Sequence, residues 1–278
     1  MSIVEKALIT DTANLSVLLL GIGLLAGLLL KRLPAKTLAP MPVEPAVTTK
    51  KWDVPELLLA LVLFALIYTF ILLDVNRDSV SPALVRMRSF MGQLQQPVFV
   101  VVILLMLVVV RKRDVIEVWG LNKLTPPKIT VTGIFLIAST ALTLFVYQLF
   151  QHFVLKDLVG TPPAQPQIQQ LRENKSAPLV ISMIIGACVL APLYEEIIFR
   201  GFLYPALKRF VQPVVAAIVI SGIFAAAHTN LGALLPLGVL SLMLILAYEV
   251  TGSLLVPMIV HSGFNLCNII ITLNEAGG

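Results

Sequence analysis

Apolar runs of about 20 residues recur along the whole chain, separated by shorter polar connectors, and this spacing settles the solvent first. A helix rises 1.5 Å per residue, so about 20 apolar residues cross a hydrocarbon core of about 30 Å. The runs predict spans at 13–30, 54–73, 93–110, 129–150, 178–199, 212–229, 234–250 and 254–273. The fifth continues into a helical stretch ending near Lys208. Only 13% of the residues are charged and 58% are hydrophobic, against about 25% charged in a soluble domain. Such a chain cannot cover itself with polar surface. The expected fold is all-α, a polytopic transmembrane bundle of about eight helices.

Net charge is +5, but the basic residues sit almost wholly in the connectors. They therefore report topology rather than nucleic-acid binding, for which basic and aromatic residues would have to interleave. The connectors 31–53 and 111–128, with Lys208 and Arg209, hold twelve Lys and Arg, whereas the opposite side holds seven. The positive-inside rule then sets both termini outside. No basic region precedes the first run, so it reads as a retained helix, not a cleaved signal. Gly23-x-x-x-Gly27 within it offers a small-residue surface for close helix contact. Cys188 and Cys267 each lie inside an apolar run and read as unpaired buried residues.

Residues 161–177 (TPPAQPQIQQLRENKSA) are rich in proline and glutamine and read as an exposed loop. It divides about four early helices, residues 1–160, from a later cluster, residues 178–273. The two parts differ in chemistry. The early spans carry almost no ionisable residue in their middles. After residue 178, Glu195, Glu196, Arg200, His228, His261 and Asn265 all lie in mostly apolar helical surroundings. Each charge at mid-bilayer costs about 2.5–3.5 kcal/mol on insertion scales, so such residues default to function.

Helical spacing organises the cluster. Glu196 and Arg200 are four apart and can form an ion pair, while Glu195 points about 100° away and stays free of it. His261 and Asn265 are four apart, as are Phe224 and His228. Lys208 to Pro213 forms a turn, which sets Glu195 and His228 at similar depths on antiparallel helices. A carboxylate and an imidazole at low dielectric suit activation of water. A second histidine with an amide supplies donors to a developing oxyanion. Ser221, Ser262, Cys188 and Cys267 lack a distinctive setting as nucleophiles. The reaction class that fits is amide hydrolysis by activated water. Glu195, His228 and His261 also make a conceivable zinc set with an open position for water, although no HExxH signature is present.

Bland readings account for other polar residues. Glu249, near a helix end beside Thr251 and Gly252, reads as interfacial, as does His152 beside the polar loop. Tyr194, Tyr204 and Tyr248 read as interface or hydrogen-bonding tyrosines.

Tyr194-Glu195-Glu196-Ile197-Ile198-Phe199-Arg200-Gly201 fits EExxxR, Phe224-Ala225-Ala226-Ala227-His228 fits FxxxH, and His261-Ser262-Gly263-Phe264-Asn265 fits HxxxN. In order and separation these resemble the CAAX protease and bacteriocin-processing family, which includes the type II, Ras-converting-enzyme type of CAAX prenyl protease. The resemblance covers residues 178–273. It implies an intramembrane endopeptidase of the glutamate type in a bacterial or archaeal plasma membrane. Glu195 and His228 would activate water, His261 and Asn265 would stabilise the oxyanion, and Glu196, Arg200 and Phe224 would support them. No cofactor is needed on this reading; zinc is the alternative. The expected partners are the bilayer and a membrane-associated protein or peptide substrate, prenylated in eukaryotic members. Two rival readings remain: a non-enzymatic immunity or scaffold protein that keeps the bundle, and an ion or proton pathway. Sparse polarity in the early spans argues against the pathway.

Overall fold

The structure is a computed structural model, and it describes residues 46–75, 94–155, 176–228 and 230–275. Among these every regular element is helical. The seven main helices are α1 (Val54–Val75), α2 (Leu94–Val110), α3 (Pro126–Phe150), α4 (Ala177–Lys208), α5 (Pro213–Ala227), α6 (Leu231–Thr251) and α7 (Leu255–Glu275). Four are long and apolar enough to cross a membrane: α3, α4, α6 and α7. Apolar stretches of α1, α2 and α5 are shorter. The expected all-α bundle is therefore what forms. The first expected span, its Gly23-x-x-x-Gly27 surface and most of the loop 161–177 lie outside the described residues.

Boundaries follow local chemistry. Prolines open α3 and α5, where a missing N–H costs nothing because the first-turn donors have no helical partner. Asn230 starts α6 by accepting from the Ala233 N–H at 3.1 Å. Gly252, at φ 63°, ends it with a left-handed cap whose N–H bonds the Tyr248 carbonyl at 2.7 Å. Gly120, at φ 59°, lies against that cap, and a Cβ on it would sit 1.9 Å from the Gly252 oxygen.

Helix α4 carries two π-helical segments, Gly186–Leu190 and Phe199–Leu203. Each ends two residues before a proline, Pro192 and Pro205. A proline inside a helix removes a donor and crowds the carbonyl one turn back, and a π-bulge absorbs the misfit. The carbonyls left behind find side chains. Gly201 O accepts from the Trp119 indole N–H at 3.0 Å, and Ala187 O accepts from Asn265 Nδ2 at 2.6 Å. Gly201 permits the indole approach, since a Cβ there would lie 3.0 Å from Trp119 Nε1.

Around α4 the other helices assemble. α6 packs against α3 and α5, α7 against α3 and α4, and α1 against the end of α4. Phe202, Leu203, Ile223 and Phe224 form the core between them and are almost wholly buried.

Residues 46–53, 111–113 and 208–209, the described parts of three basic connectors, meet at one end of the bundle. Residues 46–53 fold across the helix ends there. Ala46 N–H bonds Glu249 O, Arg209 Nε bonds Trp52 O at 2.9 Å, and the Trp52 ring packs edge-on against Phe202. Glu56, fully buried, accepts from Arg111 at 2.8 Å and from Arg113 at 2.6 Å.

This covering overturns the interfacial reading of Glu249, which is fully buried. Its Oε1 accepts from Lys208 Nζ and from the Tyr204 hydroxyl at 2.8 Å, and its Oε2 accepts from Val47 N–H at 3.3 Å. Lys208 also bonds the Val47 carbonyl at 2.8 Å. The returning segment shields what the spacing alone leaves at a helix end. Tyr204 and Tyr248 are buried with it, whereas His152 is exposed. Cys188 is buried and Cys267 half-buried, both free thiols.

Candidate active site

Helices α4, α5 and α7 each contribute to one polar cluster inside the bundle. The bulge in α4 follows its acidic pair, and both glutamates are buried. Glu196 Oε1 accepts from Arg200 Nη1 at 2.9 Å, the pairing that the four-residue spacing predicts. Arg200 is fully buried and uses Nη2 on the Ser241 hydroxyl at 2.8 Å and carbonyl at 3.2 Å, tying α4 to α6. A buried ion pair needs further hydrogen bonds; Ser241 supplies two of them to Nη2, while Arg200 Nε and Glu196 Oε2 are buried without a partner.

His261, buried on α7, lies between the two carboxylates. Its Nδ1 is 2.9 Å from Glu196 Oε1, and its Nε2 is 3.9 Å from Glu195 Oε2. The first is a hydrogen bond; the second is too long for one. Arg200 Nη1 donates to the same oxygen, so the contact is read as Nδ1–H donating to the carboxylate. Nε2 of the neutral ring then presents its lone pair toward Glu195. Glu195 Oε2 is buried and has no hydrogen-bond partner.

His228 is the C-cap residue of α5, not a mid-helix residue. Its Nδ1 is 2.8 Å from the Phe224 carbonyl. A carbonyl can only accept, so Nδ1 carries the proton, and Nε2 of the neutral ring is a base. Phe224 is the hub of the cluster. Its ring centroid lies 4.8 Å from that of His228, 5.9 Å from that of His261 and 5.2 Å from that of Phe199. The Arg200 guanidinium sits 4.6 Å from its centre, a cation–π contact. One aromatic ring therefore seats both imidazoles and the arginine.

Asn265 lies one turn beyond His261 on α7 and is half-buried. One N–H of its amide goes to Ala187 O, leaving the other for a second acceptor. Depth pairs Glu195 with His228, but the imidazole that faces Glu195 at 3.9 Å is that of His261, while His228 packs on the Phe224 ring. Among the described residues no three His, Cys, Asp or Glu side chains gather as a metal site. Of the zinc set of Glu195, His228 and His261, each histidine spends only Nδ1 on a neighbouring oxygen and keeps Nε2 open, as metal-bound imidazoles also do.

Gln96 was not singled out by the sequence, yet its Nε2 reaches Glu195 Oε1 at 3.4 Å from α2. The signal for it was a stripe. Phe99, Val100, Ile103 and Leu107 are buried while Val98, Val101, Leu105 and Val108 face outward, and Gln96 stands at the head of the buried row.

Residues 177–267 match the family described as type II CAAX prenyl endopeptidase, Rce1-like. A relative described as an uncharacterized 24.3 kDa protein of Escherichia coli is 35% identical over 104 residues, 36% of this chain and 48% of that protein. The chain thus spans about half the length of that relative. No solved structure matches it. The family match covers the three motifs, which lie on α4, α5 and the first part of α7. With its long apolar helices, the molecule is an integral, multi-pass membrane protein.

Proposed function

We propose that the chain is an intramembrane endopeptidase that hydrolyses a peptide bond of a membrane-associated protein or peptide with water activated at Glu195. One observation carries this reading: Glu195 Oε2 is buried without a hydrogen-bond partner and faces His261 Nε2 at 3.9 Å. Two contacts of about 2.8 Å meeting at about a right angle span that separation, the geometry of one water shared by acid and imidazole. Glu196 Oε2 is also buried without a partner, but the Arg200 and His261 contacts at its Oε1 commit that carboxylate to the ion pair, whereas among the described residues Glu195 pairs with no cation inside 3.5 Å.

In the proposed reaction Glu195 and His228 Nε2 draw the proton from water as its oxygen attacks the scissile carbonyl. The developing oxyanion is met by the free N–H of Asn265 and by His261 once Glu195 has relayed the water's proton to its Nε2. The proton then passes to the leaving amine, which completes hydrolysis. The chemistry is metal-free on this reading, and metal analysis of the purified protein tests that point.

The matched family makes a prenylated CAAX tail the first substrate to assay. Purified protein in detergent or liposomes should cleave a fluorogenic prenylated peptide. Glu195→Ala and His228→Ala should each lower kcat/KM by about 10²-fold or more while the protein folds and inserts. Undiminished cleavage by Glu195→Ala removes the proposal, and mass spectrometry of peptides trapped by the inactive protein names the native substrate.

A further inference from the structure

We propose that Gln96, on a helix outside the family match, positions the Glu195 carboxylate, so that the early helices complete the active site. The inference rests on Glu195 as the base. Glu195 Oε1 takes the Gln96 Nε2 contact at 3.4 Å, whereas Oε2 faces His261. An ionised carboxylate only accepts, so the amide must turn its N–H toward it. That bond fixes rotation about the last side-chain torsion of Glu195 and aims Oε2 at the imidazole. At 3.4 Å the contact is long at rest, and such bonds tighten when substrate is bound.

Register supports the assignment. Gln96 lies fifteen residues before Arg111, and Glu195 thirteen before Lys208, both cations at the basic end. At 1.5 Å per residue each stands roughly 20 Å in from that end. Below Gln96 the buried stripe of α2 is wholly apolar: Phe99, Val100, Ile103 and Leu107. Of the two amides that open α2, Gln95 and Gln96, it is Gln96 that reaches the acid. A packing role alone would be filled as well by any unbranched apolar residue.

The test compares Gln96→Met, of equal length but with no donor, and Gln96→His, which restores an N–H, with wild type and Glu195→Ala. Gln96→Met should lower kcat about tenfold, leave KM within about twofold and keep the unfolding temperature. Gln96→His should recover at least a third of wild-type kcat. Gln96→Met at wild-type rate, or Gln96→His no better than Gln96→Met, overturns the positioning role while an inactive Glu195→Ala leaves the base in place. An active Glu195→Ala overturns both.

Discussion

Asn265 donates to the main-chain carbonyl of Ala187 at 2.6 Å, five residues before Pro192. In the π register of that segment residue 192 would supply the N–H to this carbonyl, and proline has none. The same π-helical break in α4 ahead of its glutamates thus creates the acceptor that orients the amide of α7. Local backbone chemistry and the site are built by one residue pair.

Asn265→Ala should therefore show two effects of different size. Losing a buried acceptor's partner in a membrane bundle costs about 1 kcal/mol. Losing an oxyanion donor costs about 10²-fold in kcat. Thermal unfolding in detergent and steady-state cleavage separate the two. A stability loss with kcat unchanged would reduce Asn265 to a helix brace.

The acidic pair should divide along the same line. Glu196→Gln leaves Arg200 as a buried charge with its carboxylate removed, which costs about 3 kcal/mol or more. Glu195→Gln removes no ion pair to a permanent cation and should unfold within about 1 kcal/mol of wild type while losing cleavage. Chemical denaturation of both variants in mixed micelles checks the ordering. A Glu196→Gln protein as stable as wild type contradicts the buried-pair account.

How much of this was legible in the sequence follows from what periodicity encodes. Spacing of four placed Glu196 with Arg200, and three motifs brought α4, α5 and α7 to one site. Apolar length gave the helices, and α4 runs on to Lys208 as expected. Contacts made by segments far apart in sequence were not legible. Glu249 looks interfacial until residues 46–53 are seen to cover it. Gln96 lies 99 positions from Glu195, and only the stripe of α2 hints at its direction. Nor does spacing show that Phe224 carries both imidazoles, because that needs His261 of α7 to be brought beside α5.

Two glycine substitutions should differ in sign. Gly120→Ala puts a Cβ 1.9 Å from the Gly252 oxygen on a backbone with φ of 59°. Strain of about 1–3 kcal/mol from the backbone alone, plus the clash, should destabilise the basic end. Gly133 on α3 has nothing within 4 Å of its would-be Cβ, so Gly133→Ala should be neutral or gain about 0.5–1 kcal/mol. Paired thermal melts decide this. Equal melting temperatures for the two variants would mean that Gly120 does not pack against the α6 cap.

The Glu249–Lys208 pair provides the sharpest energetic test, because both ends are buried and the segment 46–53 depends on them. Glu249→Leu strands the Lys208 ammonium and frees Val47 N–H and the Tyr204 hydroxyl, so a loss of about 3–5 kcal/mol is expected. Lys208→Met alone strands the carboxylate and should cost a similar amount. The double replacement Glu249→Leu with Lys208→Met removes both charges and should be clearly more stable than either single variant, since apolar residues of similar volume can replace a buried pair at little cost. A double-mutant cycle then reads a coupling of about 1.5 kcal/mol or more. Additive single effects would show that the ammonium and carboxylate do not depend on each other. Proteolysis at residues 46–53 supplies a second readout: both single variants should expose this strap to protease, because Lys208 and Glu249 are what bond the main chain of Val47.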